Sequence, residues 1–374
     1  MHDLDVFKFP LKSDIPDEYI NSDDVIKLNK LLSKYSKTIK NYSPSSCPIC
    51  NQPIQSYCNS HSIPRFCLKQ IAENGMIISP GIIFGFPIKF QTGIANTGTF
   101  RLICERCDHE AFSEYEQPQN YNIEPSSKML AQIAMKSSLR SQYKRITEIN
   151  LYQQIENDYV LQNYDGPNLE NIKDISLRDL SDFKKDFLFA KKALENNINP
   201  QYHLGYYKKL NYTIPTATQV EVALVTDLRG NIINNIYNGS TSYNLQLLHI
   251  CLFPLENSSI VLLFFKSGHN KLRKFCRDLK SLNEDEQLRL ISYISFLYSE
   301  DVYINKDIKE LLEKYDSAKN AITTTSFITG FSDNPQRISP YEEINAIKDN
   351  FDLNQYKTFP NLLSEEFKIF KELI

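Results

Sequence analysis

Cys47-Pro48-Ile49-Cys50 and Cys104-Glu105-Arg106-Cys107 decide how this chain is read. Each Cys-x-x-Cys turn lets two thiolates meet one ion. Two such turns close a tetrahedral sulfur set with no position left for water, which is the geometry of structural zinc. Cys47, Cys50, Cys104 and Cys107 are therefore read as a Zn²⁺ site. The spacer, residues 51 to 103, is longer than in a simple zinc ribbon, so an insertion is expected between the turns. A redox dithiol is the competing reading, but it needs a strand-helix-strand context around the motif that the sequence does not offer. The other four of the eight cysteines, Cys58, Cys67, Cys251 and Cys276, are scattered and read as small buried apolar residues.

The 374 residues are 41% hydrophobic and 23% charged, with no Trp beside 22 Tyr and 22 Phe. That balance excludes collagen-like, coiled-coil and mostly disordered chains. With a formal net charge of -3, no chain-wide basic field draws the protein to nucleic acid or anionic lipid, so such binding must come from local patches. No apolar run is long enough to span a bilayer, and the N-terminal MHDLDVFKFPLKSDIPDEY has acids where a signal peptide needs a basic and then an apolar stretch. The expectation is a cytoplasmic protein without a membrane partner, in a compartment that keeps thiols reduced.

Pattern and punctuation divide the chain into four parts. Residues 1–42 read as an N-terminal helical segment, with Ile26, Leu28, Leu31, Leu32 and Tyr35 at helical spacing within 15–42, and Asn41-Tyr42-Ser43-Pro44-Ser45-Ser46 breaks it. Residues 43–118 hold the zinc module. Residues 119–200 form a helical connector with helices over 127–149 and 180–196, each opening near Ser or Asp. Residues 201–374 read as an α+β domain for recognition or assembly. In it, apolar runs at 220–226, 232–237, 245–255 and 260–266 are separated by turn residues such as Asp227-Leu228-Arg229-Gly230-Asn231 and predict an antiparallel meander. Helices are expected at 269–283, 285–299, 306–318 and 361–373. The fold class is α+β: a zinc module, then helices, then a C-terminal antiparallel sheet packed with helices.

Between the cysteine pairs lies Tyr57-Cys58-Asn59-Ser60-His61-Ser62-Ile63-Pro64-Arg65-Phe66. A His-x-Ile-Pro sequence after one Cys-x-x-Cys, with a second pair further on, resembles the zinc-containing HNH endonucleases over about residues 43–118. The resemblance implies a ββα-metal, treble-clef module with the second pair at the start of a helix. It implies hydrolysis of phosphodiester bonds in nucleic acid, DNA foremost. By it His61 takes the place of the general base, and Asp108 on the following helix helps to hold a catalytic Mg²⁺ or Mn²⁺. The chain departs from the family at two places. Ser60 stands where Asp or Glu usually precedes the histidine, and Thr99 stands where the middle Asn falls. The stretch from Cys107 to Glu116 also looks like an HNH-like group with an acidic residue after the second Cys and a Phe-Ser-x-x-Glu pattern next. On a helix, its His109, Ser113 and Glu116 share one face. Defence against invading DNA is a setting in which such modules carry large sensor domains, an analogy at the level of fold.

Residues 126–145 contain Lys128, Lys136, Arg140, Lys144 and Arg145 and no acid. Lys136, Arg140 and Lys144 recur at four-residue steps, a basic stripe suited to a phosphate backbone, and Arg65 beside Pro64 is a further phosphate contact. A second run holds Lys266, Lys271, Arg273, Lys274, Arg277 and Lys280 against Asp278 alone. The plainer readings are a hairpin histidine bonding a carbonyl, a helix-capping aspartate and solvated basic faces. Together they describe a catalytically degenerate zinc-binding module that takes up nucleic acid, a protein partner or a second copy of the chain.

Overall fold

The computed structural model describes residues 44–79, 82–83, 86–87, 90–156, 169–195, 201–236, 242–299, 301–312, 314–318, 320–321 and 351–369. The helix expected within 15–42 lies outside them. The elements are β1 (Ser60–His61), α1 (Arg65–Ile71), β2 (Met76–Ser79), β3 (Ile82–Ile83), β4 (Phe86–Pro87), β5 (Phe90–Gly93), β6 (Thr99–Phe100), α2 (Glu105–Ala111), α3 (Ser127–Glu156) and α4 (Leu169–Glu195). They continue as β7 (Tyr202–Leu210), β8 (Thr216–Val222), β9 (Leu248–Pro254), β10 (Ser259–Lys266), α5 (Asn270–Lys280), α6 (Glu284–Tyr298), β11 (Val302–Ile304) and α7 (Ile308–Leu312).

Seven strands form one sheet in the order β5-β2-β11-β8-β9-β10-β7, with every neighbouring pair antiparallel. The expected meander is β8-β9-β10. Of the run at 232–237, the described part contributes only an isolated bridge, Thr226 to Ile232. β7 and β11 join the sheet unannounced by the sequence. The insertion between the cysteine pairs also joins it, because β2 pairs with β11 (Ile78 with Ile304) and β5 pairs with β2. The sheet therefore crosses the boundary expected near residue 118 and ties the segment with the cysteine pairs to the C-terminal part. At the C-terminus the expected helix at 361–373 is, within the described residues, a single 3-10 turn, Glu365–Phe367.

Side chains alternate across each strand, so the sheet presents two apolar faces. Val220, Val222, Ile250, Leu252, Val261, Leu263 and Phe265 pack with Leu272, Phe275 and Leu279 of α5, Leu290, Ile294 and Phe296 of α6, and Phe351, Phe359 and Leu362. Ala217, Cys251, Phe253, Leu262 and Phe264 pack on the other side with Ile63, Cys67, Phe100 and Ile103 of the segment with the cysteine pairs and with Leu130, Ala134 and Leu139 of α3. Both faces being covered explains why β9 and β10 read as continuous apolar runs. Burying each large side chain here stabilises by about 1.5–3 kcal/mol. Cys67, Cys251 and Cys276 lie in these cores, as their scatter suggested. α6 opens with a capping box: the Asn283 side chain accepts from the Glu286 N–H, while the Glu286 carboxylate accepts from the Asn283 N–H.

α3 is buried at every residue from 129 to 139, including Gln132, Lys136, Ser137 and Ser138. Its polar row meets Gln219 and Glu221 of β8, where Ser138 Oγ donates to Glu221 Oε2 at 3.0 Å. Burial, followed by the nearby Asp186 carboxylate, pushes the Glu221 carboxyl up to about 8. Its cross-strand neighbour His249 stacks on Phe264 and is pushed down to about 3, chiefly by burial.

Candidate metal centre

The first cysteine pair sits on a tight knuckle. The Cys47 N–H donates to Gln52 O at 2.9 Å and the Asn51 N–H to Cys47 O at 2.7 Å, while Ser46 and Pro53 bridge across the base. Asn51 has φ +57°, the left-handed region that asparagine enters more readily than most residues and that the reversal after Cys50 requires. α4 clamps the knuckle from outside, with Lys191 Nζ donating to Ile49 O at 2.7 Å. In the second pair, Cys104 is the N-cap of α2 and Cys107 stands one turn into it, so both thiols point off one side of the helix start.

The four Sγ atoms lie within 4.8 Å of one another, and Cys50 Sγ is 3.9 Å from Cys104 Sγ. A tetrahedral ion with Zn–S near 2.3 Å requires sulfur-sulfur separations of about 3.8 Å. The donor set and its spacing thus fit a metal ion such as zinc. Burial raises the Cys47 and Cys107 thiols, whereas the backbone hydrogen bond from Gln52 leads the effects that bring Cys50 down to about 6.

β1 and β6 pair antiparallel, with Ser60 opposite Phe100 and His61 opposite Thr99, and α2 follows directly. A strand pair followed by a helix is the local arrangement the sequence led us to expect. Alternation along the strand turns Ser60 and His61 to opposite faces. His61 Nε2–H donates to Ile94 O at 2.9 Å, and burial, only partly countered by that bond, lowers its pKa. Asp108 is on the Ser60 side. Its Oδ1 accepts from Ser60 Oγ at 2.5 Å and from Lys136 Nζ at 3.0 Å, and its Oδ2 accepts from Cys58 Sγ at 3.2 Å. Burial works to raise the Asp108 carboxyl, but the Lys136 charge and these bonds outweigh it and hold it below the usual carboxylate range.

Lys136 is the residue that sequence reasoning placed wrongly. It is only 1% exposed, bonds Glu116 as well as Asp108, and lies 4.3 Å above the Phe112 ring. Arg140 makes a two-pronged contact with Asp301 (Nη2 to Oδ1 2.9 Å, Nε to Oδ2 3.3 Å) and donates to Thr99 O at 3.0 Å. Lys144 Nζ reaches the same carboxylate at 3.2 Å. The expected phosphate-contacting stripe of Lys136, Arg140 and Lys144 is therefore an inward ionic seam. Four-residue spacing places charges on one helix face without saying which way that face looks.

Cys58 was expected to be a plain apolar residue. Instead it donates to Asp108, and burial together with the Asp108 charge raises its thiol to about 12. The Phe-Ser-x-x-Glu pattern did flag Glu116, but nothing near Lys136 in sequence marks its partners. His109 points to solvent, and Arg65, at the start of α1, is exposed. Among the described residues, Cys47, Cys50, Cys104 and Cys107 form the only cluster of three or more cysteine, histidine or acidic ligands placed to share an ion. No described helix is long and apolar enough to cross a membrane. No protein-family model, curated protein or solved structure matches the chain.

Proposed function

We propose that this chain is a zinc-scaffolded binding protein whose HNH-like module serves recognition and assembly, not cleavage. The quartet of Cys47, Cys50, Cys104 and Cys107 would hold Zn²⁺ and staple the knuckle to the start of α2, leaving no open coordination position for chemistry. One observation carries the non-catalytic part. The Lys136 ammonium is buried 3.0 Å from the Asp108 carboxylate, in the place where the resemblance calls for a divalent cation. Two unit charges 4 Å apart interact by roughly 4 kcal/mol at an effective dielectric near 20, so a doubly charged ion beside that ammonium would be opposed by about 8 kcal/mol. Ser60 and Cys58 donate to the same carboxylate, so with Lys136 three of its roughly four acceptor sites are taken.

A supercoiled-plasmid nicking assay with Mg²⁺ or Mn²⁺ tests this reading. The expected outcome is no cleavage above background, identical for wild type and His61→Ala. Metal-dependent nicking that disappears in His61→Ala would overturn it.

That outcome would support the second reading, a metal-dependent endonuclease of DNA with His61 as base and Asp108 on Mg²⁺ or Mn²⁺. Its specific support is the meeting of Ser60 and Asp108 beside the zinc quartet, the two positions that the resemblance assigns to the catalytic ion. Under it Lys136 must swing aside, and Lys136→Met raises the nicking rate. Under the binding reading the same substitution produces no activity.

A further inference from the structure

With the stripe on α3 turned inward, the basic charge left on the surface lies elsewhere. α5 has two faces. Leu272, Phe275, Cys276 and Leu279 are buried against the sheet, while Arg273, Arg277 and Lys280 are exposed at i, i+4 and i+7 and so form one ridge. Among the described residues none of these three pairs with a carboxylate. Arg273 donates only to Ser267 O, and the nearest acid on the helix, Asp278, is turned toward Arg229. The other basic residues of the helix are occupied: Lys271 holds Ile232 O and Ile233 O, and Lys274 holds Asp227.

β7, the edge strand, lies alongside. Its His203 is held below its usual pKa first by burial and then by the charges of Arg273 and Lys280, which puts it in the same field. Lys208 on this strand contacts the exposed Glu284. Seven residues of helix span about 10 Å, close to three base-pair rises of 3.4 Å along one strand.

We infer that the Arg273–Arg277–Lys280 ridge of α5, flanked by β7, is a binding surface for the phosphate backbone of nucleic acid. The inference deepens the binding reading above and rests on it. Cations at this spacing meet phosphates without reading bases, so affinity follows salt more than sequence. A chain of net charge -3 can do this because these three cations are gathered on one helix ridge and none of them is paired with the nearby Asp278 or Glu284.

The test uses the zinc-loaded full chain and fluorescence anisotropy of a labelled 20-base-pair DNA duplex across a salt series. The triple variant Arg273→Gln/Arg277→Gln/Lys280→Gln should bind about 10- to 100-fold more weakly at moderate salt, and its log-log salt slope should fall by about 2 to 3. A control that removes the same net charge, Lys128→Gln/Lys185→Gln/Lys306→Gln, should keep the wild-type slope, and circular dichroism and zinc content verify folding of both. If wild type binds the duplex and the ridge variant binds equally well, the surface is overturned while the binding reading stands. If wild type binds no duplex, or binds only anionic phosphatidylserine vesicles, the inference fails outright.

Discussion

Cys47→Ser and Cys107→Ser are expected to reduce bound zinc from one ion per chain to none and to abolish cooperative unfolding of the module. Both thiols are buried, and their Sγ atoms meet those of Cys50 and Cys104 within 4.8 Å. Structural zinc in small domains is worth roughly 10–16 kcal/mol of binding free energy, which is folding free energy when the site exists only in the native state. Whole domains are stable by only about 5–15 kcal/mol, so no compensating contact is large enough to replace the ion. Cys47 and Cys107 belong to the same apolar core as Ile63, Phe100 and Ile103, which would lose part of its frame. Inductively coupled plasma mass spectrometry and thermal unfolding, with and without a strong chelator, check this. Cys58→Ser is the internal control, because Cys58 bonds Asp108 and lies outside the quartet, so it should keep full zinc. Zinc content unchanged in Cys47→Ser would refute the assignment.

The second large effect is expected at Asp301. Its carboxylate, 9% exposed, accepts from Arg140 and Lys144 of α3 and from the Tyr303 hydroxyl at 3.0 Å. Through Arg140 it also holds Thr99 O of β6, so one carboxylate joins α3, β11 and the strand pair beside the metal centre. Asp301→Ala removes the carboxylate that Arg140 and Lys144 share, a loss of about 3 kcal/mol. Burial alone would raise the Asp301 carboxyl, but Arg140 and Lys144 hold it far below the usual carboxylate range.

The sign of the pH dependence follows. A carboxylate near 3.9 in the unfolded chain and lower in the folded one contributes stability in full above about pH 4. That contribution is lost as pH falls toward the folded value. Urea unfolding at pH 7 should show the loss, and the variant should acid-denature with a shallower dependence below pH 4. A change under about 0.5 kcal/mol at pH 7 would mean that the seam is solvated and structurally idle.

The four-cysteine cluster was legible because Cys-x-x-Cys is a local signal: Cys47 and Cys50 need only one tight reversal, and Cys104 and Cys107 only the first turn of a helix. The meander was legible for a similar reason, since runs such as Leu248-His249-Ile250-Cys251-Leu252-Phe253 are bounded by turn residues. β7 was hidden because Gly205 and the Lys208-Lys209 pair of an edge strand interrupt its apolar pattern. The joining of β2 and β5 to a sheet built more than 100 residues later depends on long-range pairing that no local window contains.

The same limit applied at the candidate catalytic residues. His61 and Asp108 were found by spacing, but the partner that decides what Asp108 can do, Lys136, is 28 residues away, and Asp301 is 161 residues from Arg140. Basic residues at helical spacing were taken for a surface, yet α3 is covered on all sides over 129–139, and burial is a property of what packs on a helix.

Titrating the zinc-loaded protein with Mn²⁺ and following the electron paramagnetic resonance signal of the free aquo ion tests the account most directly, because it asks whether Asp108 is available to a second cation or held by Lys136. With Lys136 holding Asp108, the free-ion signal should equal that of buffer and be unchanged by Asp108→Asn. One Mn²⁺ bound per chain in wild type and lost in Asp108→Asn would contradict it.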